Sequence, residues 1–129
     1  MRKITIAAMA CSVLAGSYGI SWAQMSAIPS NVKISGGMLT DYKGMTLYTF
    51  DKDTVPGKSA CNGQCLANWP ALPAASGDMT MGDWTVITRD DGSKQWAYKG
   101  KPLYTFAHDA KAGDMSGEGK GGVWHMAMP

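Results

Sequence analysis

Two short stretches of the chain alternate apolar and polar side chains with the period of two that is typical of a β-strand. In Leu47–Phe50, this period turns Tyr48 and Phe50 to one face of the strand and Leu47 and Thr49 to the other. Leu103–Phe106 repeats the same four residues. No stretch shows a helical period of apolar residues, so the pattern predicts an all-β protein.

Turn residues divide the chain into short strands. Asp91-Gly92 separates the apolar runs Trp84–Thr88 and Lys94–Tyr98, and this dipeptide is a strong hairpin signal. Lys99-Gly100 then turns the chain into Leu103–Phe106. The first half has its own β-like run and turns at Val32–Ile34, Gly36-Gly37 and Lys43-Gly44. Pro70, in the segment Asn68-Trp69-Pro70, and the following Pro73 favour extended or turn structure there.

An internal repeat underlies both halves of the chain. Residues 42–53 align with residues 98–109 at an offset of 56, and 8 of the 12 positions are identical. Trp69 and Trp124 follow at an offset of 55, so one residue is lost between the copies. Each copy, about 31–72 and 84–129, is predicted to be a three-stranded meander. Pairing of the two copies predicts a small pseudo-twofold barrel or sandwich that covers the strand edges.

The first 23 residues have the features of a secretory signal peptide. A positive start at Arg2 and Lys3 precedes the apolar run Ile4–Ala15, and Ser21-Trp22-Ala23 provides small residues at a cleavage site. The alternative is a lipoprotein signal acylated at Cys11, although the usual Leu before that Cys is absent. We therefore expect a periplasmic or secreted protein with one β domain over residues 24–129.

Cleavage also changes the charge balance. Without Arg2 and Lys3, the mature chain has 10 basic and 10 acidic side chains and a formal net charge of zero. No basic run is present to bind nucleic acid, and no long apolar segment predicts a membrane span after cleavage. An envelope partner or a small ligand remains, and its identity is open.

The repeated strands also carry a family signature. Tyr48-Thr49-Phe50-Asp51-Lys52-Asp53 and Tyr104-Thr105-Phe106-Ala107-His108-Asp109 fit a Tyr-x-aromatic-x-x-Asp motif, and Ser59–Cys65 and Asn68-Trp69-Pro70 follow. From Val32 to its end, the chain resembles a family of secreted repeats and lipoproteins defined by this motif. The resemblance implies no established biochemical function. We expect a structural role for the repeated motif residues: Tyr48, Phe50, Asp53, Tyr104, Phe106 and Asp109.

Cys61 and Cys65 remain as an even pair after cleavage. In an oxidising compartment, we expect them to form a disulfide that closes a tight turn. A redox dithiol or a metal site is the alternative. An offset of 56 places Gly117 and Gly121 opposite the two cysteines, so a covalent link in one copy corresponds to a glycine-rich loop in the other.

The aspartates that end the two motifs have two interpretations. Asp53 and Asp109 can act as paired acids or as ligands of a hard cation, and Asp114 and Glu118 add a weak calcium pattern without the spacing of a calcium loop. The favoured interpretation is turn formation, in which each carboxylate accepts hydrogen bonds from backbone N–H groups that follow it.

Methionine is in excess in the mature chain. Met79 and Met81 are two residues apart, as are Met126 and Met128 beside His125. Thioethers with an imidazole favour Cu(I), so these five residues form a candidate copper site. The alternative is core filling and a frayed terminus. The tryptophans have a similar pair of interpretations, as core residues or as the lining of a ligand groove: Trp69, Trp84, Trp96 and Trp124.

The chemistry-bearing residues do not indicate an enzyme. The chain has two histidines and no recognisable Ser–His–acid order. We therefore expect a non-catalytic binding or structural module that needs no cofactor. A copper-binding or thiol-redox protein is the alternative. Specific activity is expected where the copies differ: in the Cys61–Cys65 loop, the Gly113–Gly122 loop and the C-terminus.

Overall fold

The computed structural model describes residues 28–129. The predicted signal peptide and Cys11 lie outside the described residues. The secondary-structure elements in this part of the chain are β1 (Val32–Ser35), β2 (Met38–Asp41), β3 (Tyr48–Phe50), α1 (Gln64–Asn68), β4 (Trp84–Thr88), β5 (Lys94–Tyr98), β6 (Lys101–Pro102), a 3-10 turn (Lys120–Gly122) and β7 (Trp124–Met126).

The second copy forms the predicted meander. β4, β5 and β6 make one antiparallel three-stranded sheet. The β5–β6 turn is tight because Lys99 and Gly100 both adopt left-handed φ angles, of 50° and 83°. In the first copy, β1 and β2 pair as a hairpin, and β2 contacts the next stretch through a bridge between Thr40 and Thr46. Both copies therefore begin with a hairpin. The third stretch pairs as a strand in copy two and through a single bridge in copy one.

The last segment of each copy pairs with residues of the other copy. Leu72 ends copy one, accepts a hydrogen bond from the Trp96 N–H at 3.0 Å and donates to the Leu103 carbonyl at 2.9 Å. It thus lies between β5 and the stretch after β6. β7 ends copy two and pairs with β3, and Ala127 joins it to β2 in the same manner. The last segment of each copy is thus hydrogen-bonded to the strands of the other copy, so the two repeats interlock.

Equivalent residues of the two copies meet at the centre of the molecule. The Tyr48 N–H donates to the Tyr104 carbonyl at 2.7 Å, and the Tyr104 N–H donates to the Tyr48 carbonyl at 3.0 Å. Since these tyrosines are 56 residues apart in sequence, the exchange of hydrogen bonds marks a pseudo-twofold axis. The predicted pairing of modules is present in this form.

Two cores lie on opposite faces of the central strands, as the alternating pattern requires. Leu47 and Leu103 face one core, whereas Tyr48 and Tyr104 face the other. The buried members of the first core are Val32, Leu39, Leu47, Leu72, Trp84, Trp96, Leu103 and Ala127. The buried members of the second, which we call the aromatic core, are Tyr48, Cys61, Trp69, Tyr104, Phe106 and Trp124.

The architecture is nearly all-β and resembles a sandwich of antiparallel sheets; the described strands do not close into a barrel. Leu103–Phe106 is not one continuous strand, because β6 ends at Pro102 and pairing resumes only as bridges at Tyr104. The short helix α1 was not predicted, since its five residues are too few to show a period. No helix among residues 28–129 is long and apolar enough to cross a bilayer.

Candidate functional site

The motif tyrosines and aspartates bond across the two copies. The Tyr48 hydroxyl donates to Asp109 Oδ2 at 2.7 Å, and the Tyr104 hydroxyl donates to Asp53 Oδ2 at 2.6 Å. Each tyrosine therefore bonds the aspartate of the other repeat. Burial, followed by the hydrogen bond to the aspartate, raises the pKa of both tyrosines well above its ordinary value. These phenols remain protonated and act as hydrogen-bond donors.

The second oxygen of each aspartate fixes the loop that follows it. Asp53 Oδ1 accepts the Ala60 N–H at 2.6 Å, and Asp109 Oδ1 accepts the Ser116 N–H at 3.0 Å. Both carboxylates are thus engaged by a phenol and by the backbone seven residues ahead. Burial raises the pKa of Asp53, although hydrogen bonds from Tyr104 and Ala60 favour its ionised form. This arrangement uses the shared motif to hold two loops in place.

The candidate calcium ligands do not converge. Asp109 bonds Tyr48 and Ser116, Asp114 accepts the N–H groups of Ala110 and Lys111, and Glu118 accepts the Met126 N–H. Across residues 28–129, no group of three or more His, Cys, Asp or Glu side chains is arranged to hold a metal ion.

The cysteines form the expected disulfide. Cys61 and Cys65 are bonded with a Cα–Cα distance of 5.2 Å, and Cys61 lies in the aromatic core. Of the two cysteines, Cys61 is fully buried and Cys65 is half-buried. The bridge spans the start of α1, and the Trp69 N–H bonds the Cys65 carbonyl just past the end of the helix. The disulfide thereby ties the loop of copy one to the helix below it.

Arg89 is a buried cation that the sequence analysis did not identify. It is only 4% exposed. Its Nη1 donates to Ser59 Oγ and Gln95 Oε1, both at 2.8 Å. Its Nη2 donates to the Cys61 carbonyl and to Asn62 Oδ1. The one available signal is the length of the connection between strands. The β4–β5 connection (residues 89–93) is longer than the two-residue turn between β1 and β2, and Arg89 is its first residue.

Four aromatic rings form a continuous stack through the aromatic core. Trp69 and Trp124 stack at a centroid distance of 3.8 Å, and they are almost parallel. Phe106 stacks on the outer side of Trp69, and Phe50 stacks on Trp124, each at 4.2 Å. The order Phe50–Trp124–Trp69–Phe106 obeys the pseudo-twofold symmetry, because the two phenylalanines are equivalent in the two copies and so are the two tryptophans.

A recess of about 330 Å³ opens beside this stack, and we call it the aromatic recess. Six of its eight lining residues come from copy two, and Asn68 and Trp69 come from copy one: Asn68, Trp69, Phe106, His108, Lys120, Gly121, Val123 and Trp124. Lys120 Nζ lies 5.7 Å from the centroid of the Phe106 ring, and the His108 ring lies 5.1 Å from it, edge to face. Two of the four buried tryptophans thus also line a groove.

Three of the five candidate copper ligands share a second recess, of about 340 Å³. His125, Met126 and Met128 line this C-terminal recess, together with lysines 99 and 101; Met79 and Met81 are not among its lining residues. His125 Nε2 lies 2.8 Å from Asp51 Oδ2, and its Nδ1 lies 3.7 Å from Glu118 Oε2. The hydrogen bond with Asp51 raises the pKa of His125. Both ring nitrogens of His125 thus have a carboxylate nearby.

The four candidate methionines differ in how far they are buried. Met81 is half-buried against the first core, whereas Met79 is 75% exposed. Met126 packs against the aromatic core, and Met128 is exposed. The structure therefore brings His125, Met126 and Met128 to one recess, and Met79 and Met81 do not line it.

The family comparison supports the repeat assignment. The family described as a secreted repeat of unknown function matches residues 32–73 and 85–128, and these two ranges agree closely with the two copies found from the sequence. No curated protein and no solved structure shows significant similarity to the chain.

Proposed function

The chain belongs to the family of secreted repeats of unknown function, and we propose that it is a non-catalytic binding protein of the bacterial periplasm or cell exterior. In this proposal, residues 1–23 direct export and are removed, and the remaining domain recognises a small ligand. The family description supports secretion. The periplasmic location and the binding role are our inference.

The crossed Tyr–Asp pairs are the observation that carries this proposal. The two phenols and both carboxylates of the shared motif are directed at each other and at the backbone. Tyr48 and Tyr104 are fully buried. A side chain that reacts with substrate must reach it. The two phenols are buried, and Asp53, which borders a recess of about 150 Å³, has both carboxylate oxygens engaged in hydrogen bonds. The motif is therefore a scaffold, and binding is assigned to surfaces where the copies differ.

The aromatic recess is the best candidate for the binding surface. Its volume lies at the lower end of the range for small-molecule sites, and it combines aromatic walls with a few polar groups. It also lies at the boundary between the copies, with Trp69 from the first and Phe106 from the second. The interlocked scaffold holds these two walls at a fixed distance.

Native mass spectrometry of the mature protein tests this function. The protein is incubated with a deproteinised small-molecule extract of the cell envelope, and we expect a non-covalent adduct whose ligand is recovered unchanged. A Lys33→Gln variant, altered on the exposed side of β1, is the matched control and should retain the adduct. Conversion of an extract component by substoichiometric protein would show an enzyme instead, and absence of any adduct would favour a purely structural module.

Copper binding is the second candidate, and the shared C-terminal recess of His125, Met126 and Met128 is the observation that favours it. Cu(I) is titrated into the mature protein against a competing chelator. Tight binding that is lost in Met126→Leu/Met128→Leu and retained in Met79→Leu/Met81→Leu would support copper at this recess. Equal behaviour of both double variants would contradict it.

A thiol-redox role makes a separate prediction. Since Cys61 and Cys65 are bonded and Cys61 is buried, we expect no reactive thiol in mature protein purified without reductant. Two reactive thiols under these conditions would favour the redox alternative over a structural disulfide.

A further inference from the structure

The two ends of the aromatic stack are equivalent by the pseudo-twofold axis but are built differently. The Ala107 N–H bonds the Asn68 carbonyl, and the Asp51 N–H bonds the Val123 carbonyl in the matching place. Asn68 is thus equivalent to Val123, at an offset of 55. Counting back, Leu66 of α1 corresponds to Gly121 of the 3-10 turn. The cysteine alignment at offset 56 therefore holds for Gly117 but not for Gly121.

This single exchange changes what lies against the aromatic core. In copy one, Leu66 and Cys65 pack on it. In copy two, Gly121 has no side chain, and the aromatic recess opens there. Its φ of 59° is in the left-handed region, where glycine is favoured over any residue with a Cβ. The second copy therefore keeps open a position that the first copy fills.

The groups around the opening favour a negative charge. Lys120 provides an ammonium over the Phe106 ring, and His108 provides an imidazole that lies edge to face with this ring. Among the residues of the described chain that line the recess, none carries a carboxylate. An anion that enters meets a cation with no competing acid, whereas a cationic ligand meets Lys120 with no partner for itself.

The aromatic walls favour a flat ligand. Phe106 ends a stack of four rings spaced about one ring thickness apart. Trp69 stacks on the Phe106 ring, Lys120 Nζ also lies over this ring, and Phe106 is 6% exposed, so a ligand ring reaches it only if the lysine side chain moves. A planar ring that displaces Lys120 from this face can extend the stack, and the displaced ammonium can then pair with the charge of the ligand.

We propose that the aromatic recess binds a small planar aromatic carboxylate, with its ring against Phe106 and its carboxylate paired with Lys120. This proposal rests on the proposed binding function and names the ligand class for the same recess. The volume of about 330 Å³ suits a ligand of one or two fused rings. Gly121 provides the space, Phe106 the stacking surface and Lys120 the charge.

Titration of the mature protein with 1-naphthoate tests the proposal, followed by tryptophan fluorescence and calorimetry. Because Trp69 and Trp124 belong to the stack, binding should quench their emission. We expect Lys120→Gln and Gly121→Leu each to weaken binding by about tenfold or more. Lys43→Gln, altered at an exposed lysine outside the lining residues, is the matched control and should bind as the unmodified protein does.

Two further probes separate charge from shape. Cyclohexanecarboxylate keeps the charge without a flat ring, and 1-naphthalenemethanol keeps the ring without the charge; both should bind about tenfold more weakly than 1-naphthoate. Equal binding of either probe would overturn the proposal. Gly121→Asn is included because Asn tolerates the left-handed φ, so this variant partly fills the recess even if Gly121→Leu does not fold.

The outcomes also distinguish the ligand class from the function. If the envelope extract yields an adduct while 1-naphthoate fails to bind at about 10 mM, the ligand class is wrong and the binding function stands. If neither binds, both proposals fail. If 1-naphthoate binds but the Lys120 and Gly121 variants bind equally well, the site assignment is overturned.

Discussion

The loops that follow Asp53 and Asp109 begin alike and are then fixed by different means. In each loop, a backbone N–H seven residues after the aspartate bonds its Oδ1. The loop of copy one, which we call the disulfide loop (residues 54–65), is then closed by the Cys61–Cys65 bond and by Arg89. The loop of copy two, the glycine-rich loop (residues 110–122), has Gly117 at the position equivalent to Cys61 and Lys120 at the position equivalent to Cys65, so it has no disulfide there.

Close backbone approach replaces the covalent link in the glycine-rich loop. A Cβ at Gly117 would lie 2.7 Å from Trp69 Cη2 and 3.0 Å from Tyr48 Cε1. The Gly117 N–H also donates to the Tyr48 hydroxyl at 3.2 Å. The absence of a side chain thus lets the backbone pack directly on two rings. One scaffold thus holds its two loops by different interactions, and the aromatic recess lies beside the loop that has no disulfide.

Removal of Arg89, which holds only the disulfide loop, should lower the free energy of unfolding more than any other change considered below. Arg89→Met leaves Gln95, Ser59 and the Cys61 carbonyl without their buried donor, and we expect the free energy of unfolding to fall by about 3 kcal/mol. Urea denaturation measures the loss, with Lys33→Met on the exposed face of β1 as the control. A loss no larger than that of the control would mean that Arg89 does not hold the disulfide loop.

A methyl group at Gly117 tests the close approach in the other loop. Gly117→Ala should lower the free energy of unfolding by about 2 kcal/mol, because the Trp69 and Tyr48 rings must shift to admit the Cβ. Gly77→Ala is a matched control, since Gly77 has no heavy atom within 4 Å of the added Cβ and no positive φ. Equal thermal denaturation of the two variants would argue against the packing described here.

Opening of the disulfide should also act on one loop only. In Cys61→Ser/Cys65→Ser, the short covalent loop is lost, and the chain-entropy model gives a destabilisation of about 2 kcal/mol. Hydrogen exchange should increase at the amides of residues 54–65 and remain unchanged at those of residues 110–122. A uniform increase in both loops would show that the disulfide stabilises the whole domain rather than its own loop.

The smallest effect is expected at His125, which links the glycine-rich loop to β3 through Asp51 and Glu118. Its pKa is raised in the folded state, so the ion pair stabilises fully below the unfolded-state pKa, and this contribution is lost as pH rises through the folded-state pKa. By NMR titration, Asp51→Asn should lower the pKa of His125 more than Glu118→Gln does. The reverse order would contradict the assignment of Asp51 as the main cause.

Several features of the molecule could be predicted from the sequence because they depend on neighbouring residues. Alternation in Leu47–Phe50 separates the two cores, since successive side chains of a strand point to opposite faces. The Asp91-Gly92 and Lys99-Gly100 turns lie between adjacent segments, and β4 and β5 have the predicted bounds. The disulfide follows from two cysteines four residues apart. The repeat was recognisable because its copies retain the same motif.

The remaining features are decided by contacts between residues far apart in the chain. Nothing local indicates that Tyr48 bonds Asp109 rather than Asp53, because either aspartate matches the motif and only the interlocked strands select one. The buried position of Arg89 depends in the same way on where the longer hairpin meets the disulfide loop. The sequence determined the β4–β5 hairpin, the alternation of the central strands, the turns and the duplication. The tertiary structure decided which copy supplies each partner and which end of the aromatic stack stays open, since these depend on the packing of one repeat into the other.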